Sequence, residues 1–100
     1  MLKTQHNSWI QSGIAVIAIV LGFYLGISRV EWLFIIIAIG IVFMAELMNT
    51  AIETMVDLLS PEKNENAGRI KDLAAGSVLL ASFMALAVGM IIFLPKLLEK

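Results

Sequence analysis

The sequence predicts an all-α integral membrane protein with three transmembrane helices per chain. Three observations carry that expectation. First, 60% of the 100 residues are hydrophobic and the mean hydropathy is +0.94, more apolar surface than a soluble domain this small can bury. Second, the apolar residues gather into three runs, about 10–27, 32–51 and 73–94. Each is close to the ~20 residues that a hydrocarbon core of ~30 Å requires. Third, the charged residues, 15% of the chain, cluster between those runs.

The first run has Lys3 as the one basic residue ahead of it and no small-x-small cleavage site after it. It therefore reads as a span, not as a secretory leader. Gly26-Ile27-Ser28-Arg29 reads as a tight turn into the second run. Trp9, Tyr24 and Trp32 sit near span ends, as interfacial aromatics do. The stretch 57–72 reads as the cytoplasmic loop, with Ser60-Pro61 as a helix start: a side-chain cap, then proline at the first helical position. In the third run Ala74, Ala75, Gly76, Ser77, Ala81, Ser82, Ala85 and Gly89 recur at near-helical spacing. Small residues let membrane helices approach closely. A thin three-helix bundle has little interior, so the sequence predicts a homo-oligomer. An inside N-terminus puts Lys3, Lys63, Arg69 and Lys71 on the cytoplasmic side, against Arg29, Lys96 and Lys100 outside. The positive-inside rule then favours N-inside, C-outside.

Several function classes drop out. Net charge is −1, which gives no footprint for a nucleic-acid partner. The chain has no cysteine, hence no disulfide framework, thiolate nucleophile or cysteine zinc site. His6 has no G-x-S-x-G partner, so no hydrolase triad is written. Gly68-Arg69-Ile70-Lys71 is not a phosphate-binding loop, which removes ordinary kinase and NTPase folds.

A polar stripe remains. Glu46, Asn49, Thr50, Glu53 and Asp57 follow the second apolar run without a break. At 100° per residue they lie within an arc of about 100° on one helix face. A carboxyl group at membrane depth costs roughly 3 kcal/mol by insertion scales, so three on one face imply a use. Structural glue between helices is the bland reading; an active or ion site opening toward one surface is the sharper one. Lys71 and Asp72 approach the same surface from the third run. At 1.5 Å per residue Glu46 lies about 10 Å deeper than Glu53 and about 16 Å deeper than Asp57. A soluble phosphate donor would meet Glu53, Asp57, Lys71 and Asp72, while a lipid hydroxyl would approach Glu46 and Asn49. Carboxylate oxygens suit Mg²⁺, which takes one or two protein carboxylates plus phosphate oxygens. Phosphoryl transfer needs that neutralisation and a base for the attacking hydroxyl.

The run A-E-L-M-N-T-A-I-E-T-M-V-D-L-L-S-P-E, from Ala45 to Glu62, resembles the signature of the small bacterial integral-membrane diacylglycerol kinase and undecaprenol kinase family. G-R-I-K-D-L-A-A-G-S-V, from Gly68 to Val78, is similar to that family's second block. The S-P-E and N-T details are closer to the undecaprenol branch. The resemblance implies one membrane kinase domain over 1–100 that passes the bacterial inner membrane several times. It also implies a homotrimer with sites between subunits. The implied activity is transfer of the γ-phosphate of ATP to undecaprenol or diacylglycerol, with Mg²⁺ as cofactor. By the same resemblance Glu46 is the catalytic base, with Asn49 beside it and Asp72 a carboxylate needed for activity. Glu53 binds the metal, Asp57 lies near the nucleotide, and Lys71 contacts its phosphates.

Departures from the family pattern are visible. Its amphipathic surface helix before the first span has no counterpart in the sequence. Thr4-Gln5-His6-Asn7 resembles the family's T-E-x-N, so Gln5 holds the second metal-ligand position with a neutral oxygen. Trp9 and Gln11 stand where arginine and histidine are common, and Lys63-Asn64 replaces a frequent Tyr-His pair. Two alternatives follow: a catalytically weakened member acting as an assembly or regulatory subunit, and an ion-binding membrane subunit.

Overall fold

A computed structural model describes residues 2–62 and 64–99, with side chains from Trp9 onward. Three helices follow one another: α1 (Leu2–Leu25), α2 (Arg29–Leu59) and α3 (Glu65–Glu99). No strand occurs among the described residues. The molecule is a rod of 55 × 20 × 19 Å. Both α2, of 31 residues, and α3, of 35, are long and apolar enough to cross a membrane. The apolar part of α1, Trp9–Leu25, is shorter.

The α1–α2 turn is built from local chemistry. Gly26 adopts φ +64°, a left-handed conformation that glycine takes without a Cβ penalty. The Ile27 N–H then donates to the Gly22 carbonyl at 3.2 Å, the six-to-one bond that closes a helix C-terminus. Ser28 opens α2 with a reciprocal cap. Its Oγ accepts from the Glu31 N–H at 3.2 Å, and its own N–H donates to Glu31 Oε1 at 2.9 Å. Glu31 also meets Lys96 near the end of α3 at 3.4 Å. Gly22 is buried because the Trp32 ring lies where a Cβ would stand, 2.6 Å from its Cη2. Ile27, Ile35, Ile92 and Phe93 form the apolar cluster at this end, with Leu21, Leu25 and Trp32 against it.

The connection from α2 to α3 corrects the expectation of a helix start at Ser60-Pro61. The Ser60 N–H donates to the Val56 carbonyl at 2.8 Å, so Ser60 closes α2. Asn64 opens α3 instead: its Oδ1 accepts from the Ala67 N–H at 2.8 Å, and its amide donates to Ser60 Oγ at 2.6 Å. The long loop expected over 57–72 contracts accordingly. Asp57 belongs to α2, while Lys71 and Asp72 belong to α3.

Packing is dominated by α2 against α3. Ile35, Ala38, Val42 and Glu46 are the buried residues of α2; Ala67, Ala74 and Ala81 face them from α3 at seven-residue spacing. Such a repeat is a helix–helix seam, and alanine keeps the backbones close. The seam selects among the small residues noted in the sequence: Ala74 and Ala81 are buried, whereas Ala75, Gly76 and Ser77 face outward. Large apolar side chains such as Ile14, Ile36, Phe83 and Ile91 are exposed, as suits a lipid-facing surface and not a water-facing one.

Candidate functional site

The α2 helix carries the site. Its seam positions 35, 38, 42 and 46 advance by three and four residues, so the face that meets α3 runs from apolar residues into Glu46. Among the described residues Glu46 is the one buried charged side chain, at 8% exposure. From α1, Gln11 Nε2 donates to Glu46 Oε1 at 3.3 Å. One turn beyond Glu46, Asn49 donates its amide to Glu53 Oε1 at 3.5 Å. The Asn49 carbonyl oxygen is buried and has no hydrogen-bond partner. A buried acceptor left unmet costs about 1–3 kcal/mol, which marks it as an atom awaiting a donor.

These groups surround a cavity of about 300 Å³ lined by Gln11, Glu46, Asn49, Ala75, Val78, Leu79 and Ser82. Beside it runs a larger apolar cleft of about 560 Å³ between the three helices. Gln11, Leu79 and Ser82 border both. A hydroxyl seated in the cavity would thus have hydrocarbon space next to it, the usual make-up of a ligand site.

Farther along α2, Asp57 pairs with Lys71 of α3 at 2.6 Å. Both side chains are well exposed, 65% and 37%, so the pair adds little to stability and leaves a cation open to solvent. The structure therefore brings Glu46, Asn49 and Glu53 onto one face and joins Asp57 to Lys71. Asp72 stands apart: it is exposed and makes no hydrogen bond or ion pair with the described residues. The side chain of Gln5 lies outside the described residues.

No group of three His, Asp or Glu side chains close enough to cage a metal occurs among the described residues. A magnesium–nucleotide complex does not need one, since phosphate oxygens and water complete the shell. Glu53, half-buried and bonded weakly to Asn49, is a hard-oxygen donor that fits that requirement.

Gln11, Val78, Leu79 and Ser82 were not singled out as site residues by sequence reasoning. Gln11 did carry a signal, being a polar side chain inside an apolar run. Nothing local connects it to a residue 35 positions away.

A buried carboxylate between long apolar helices, with acids and a lysine stepping out toward one end, defines a small helical membrane protein. Comparison with known proteins gives the family. The chain matches the family model for prokaryotic diacylglycerol kinase over residues 1–93, and it belongs to that family. It is similar to the undecaprenol kinase of Bacillus subtilis (strain 168), 38% identical over 95 residues, 95% of this chain and 77% of that protein. It is also similar to two diacylglycerol kinases. That of Haemophilus influenzae is 40% identical over 68 residues, 68% of this chain and 58% of that protein. That of Escherichia coli (strain K12) is 34% identical over 76 residues, 75% of this chain and 62% of that protein. The chain thus spans less than two thirds of the length of those two diacylglycerol kinases. The resemblance read from Ala45–Glu62 and Gly68–Val78 is borne out, and the function that goes with the family is a lipid kinase's, a phosphotransferase acting on a lipid.

Proposed function

We propose that this chain moves the γ-phosphoryl group of ATP onto the hydroxyl of a membrane lipid alcohol, with undecaprenol the favoured acceptor and diacylglycerol the alternative. The observation that carries the reading is the depth series on one helix. Buried Glu46 adjoins an apolar cleft, and exposed Asp57, about 16 Å farther along α2, pairs with Lys71 of α3. The lipid hydroxyl sits in the cavity and gives its proton to the Glu46 carboxylate. Its oxygen forms the new bond to the γ-phosphorus as the bond from phosphorus to the ADP oxygen breaks. Asn49 stands beside Glu46 at the cavity wall, its amide bonded to Glu53. Lys71 turns from Asp57 to the nucleotide phosphates, and Asp72 assists at the same surface. Glu53 would hold Mg²⁺, with Gln5 as a neutral second ligand; the ion supplies charge neutralisation on the phosphate oxygens.

The wider arrangement belongs to the same proposal. The 17-residue run Trp9–Leu25 serves as a third span, three copies associate through the exposed apolar faces, and the assembly crosses the bacterial inner membrane. Purified protein with radiolabelled ATP, Mg²⁺ and vesicles carrying undecaprenol or diacylglycerol tests the central claim. Labelled lipid is expected; absence of label with both acceptors rejects the reading. Cross-linking in the membrane tests the trimer, and bands stopping at one or two subunits would reject it.

A further inference from the structure

We propose that Gln11 is a positioning residue for Glu46: its amide N–H holds the carboxylate at the wall of the cavity. The inference rests on the reading of Glu46 as base. A glutamate side chain has three rotatable bonds, and a base must keep its oxygen within hydrogen-bond reach of the proton it takes. One restraint comes from a different element, α1, through the 3.3 Å bond from Gln11 Nε2 to Glu46 Oε1.

Position and chemistry both fit. Gln11 is half-buried and borders the cavity as well as the apolar cleft, so it stands where a lipid hydroxyl passes from one to the other. An amide donor is neutral. It orients a carboxylate without forming the ion pair that a lysine or arginine would make, and without the strong grip a cation has on the charged oxygen. The α1 residues Ala18, Leu21 and Leu25 pack into the apolar cluster nearer the turn, about two turns or more from Gln11. The bond is therefore not needed to close the α1–α2 turn, which Gly26 and the Ser28 cap already close.

The test is a double-mutant cycle on the full chain, read as lipid phosphorylation with saturating ATP. Gln11→Met keeps length and loses the donor; kcat is expected to fall about tenfold, as misplacement of a reacting group does, with KM for ATP unchanged. Glu46→Asp keeps a base but withdraws it from Gln11, and leaves a rate that can be measured. Adding Gln11→Met to Glu46→Asp is expected to cost no more than about twofold, because the bond is already gone. An unchanged kcat in Gln11→Met overturns the inference, and so does a full tenfold further loss in the double variant. A purely structural tie would lower the unfolding temperature and leave kcat per folded protein intact. Should Gln11→Met fail to fold, Gln11→Ala, which removes the donor without adding volume or charge, carries the same cycle. Glu46→Gln separates the two readings: if it retains activity, the base assignment fails whatever Gln11 does.

Discussion

The two ends of the helical rod use polar groups in opposite ways. At the Gly22–Trp32 end the capping contacts close the turn and the helix ends. Gly26 and Ile27 terminate α1, Ser28 and Glu31 cap α2, and Lys96 ties α3 to the same glutamate. At the Glu46–Lys71 end Ser60 and Asn64 also close their helices, but further polar groups stay available. The Asn49 carbonyl oxygen is unmet, Asp57 and Lys71 pair at an exposed surface, and Asp72 is exposed. The first end holds three helices together; the second accepts an unmet acceptor and a buried carboxylate that no folding argument favours. Such a cost concentrated at one end is what the proposed site would carry.

Substitutions at either end should therefore fall into separate classes. Glu46→Gln is expected to have the largest effect, a loss of lipid phosphorylation of about 10³-fold, within the range for removing a general base. Affinity for an ATP analogue should stay near that of the unaltered chain. If transfer is mostly retained, or nucleotide binding collapses with it, Glu46 is not the base.

Glu53→Gln comes next, with activity down about 10²-fold, the scale of losing a charge-stabilising group. The Mg²⁺ titration should move to higher concentration, because an amide is a poorer ligand for a hard cation than a carboxylate. An unaltered Mg²⁺ requirement would remove Glu53 from the metal site.

Gly22→Val probes the other end. The new Cβ would stand 2.6 Å from the Trp32 ring, in a region where Phe23 also packs on that ring at 4.8 Å between centroids. Overpacking of this kind costs about 1–3 kcal/mol. Thermal unfolding in detergent should register it, with turnover per folded molecule close to normal. A selective loss of turnover without destabilisation would break the division between the two ends.

Ser28→Ala should have the smallest effect, about 1 kcal/mol for the lost cap, again with turnover preserved. The same melting measurement checks it, and a Tm equal to the unaltered chain's would mean that the Glu31 bonds hold the turn alone.

Much of this was legible before any fold was known. The three helices, the turn at Gly26-Ile27-Ser28-Arg29 and the polar face from Glu46 to Asp57 all follow from hydrophobic runs, a glycine and residues three and four apart. Where reading failed, two local signals competed. Ser60-Pro61 has the chemistry of a helix start, yet Asn64 supplies a cap four residues on while α2 claims the Ser60 N–H for itself. The loop expected over 57–72 shrank for the same reason: polar residues on a helix near a membrane surface look like loop residues when only composition is weighed.

Residues three and four apart meet because a helix repeats every 3.6 residues, so any arrangement confined to one helix is already written in the order of the chain. Glu46, Asn49 and Glu53 are of that kind, as are the Ser28 cap and the glycine turn. Which helices touch, and at what height, obeys no such local period. That Gln11 reaches Glu46 across 35 positions, that Lys71 meets Asp57 and not Glu53, and that the Asn49 carbonyl is shut away from water depend on the α2–α3 seam and the angle of α1. Those are set by the packing of small against large side chains between helices, which is a property of the assembled bundle.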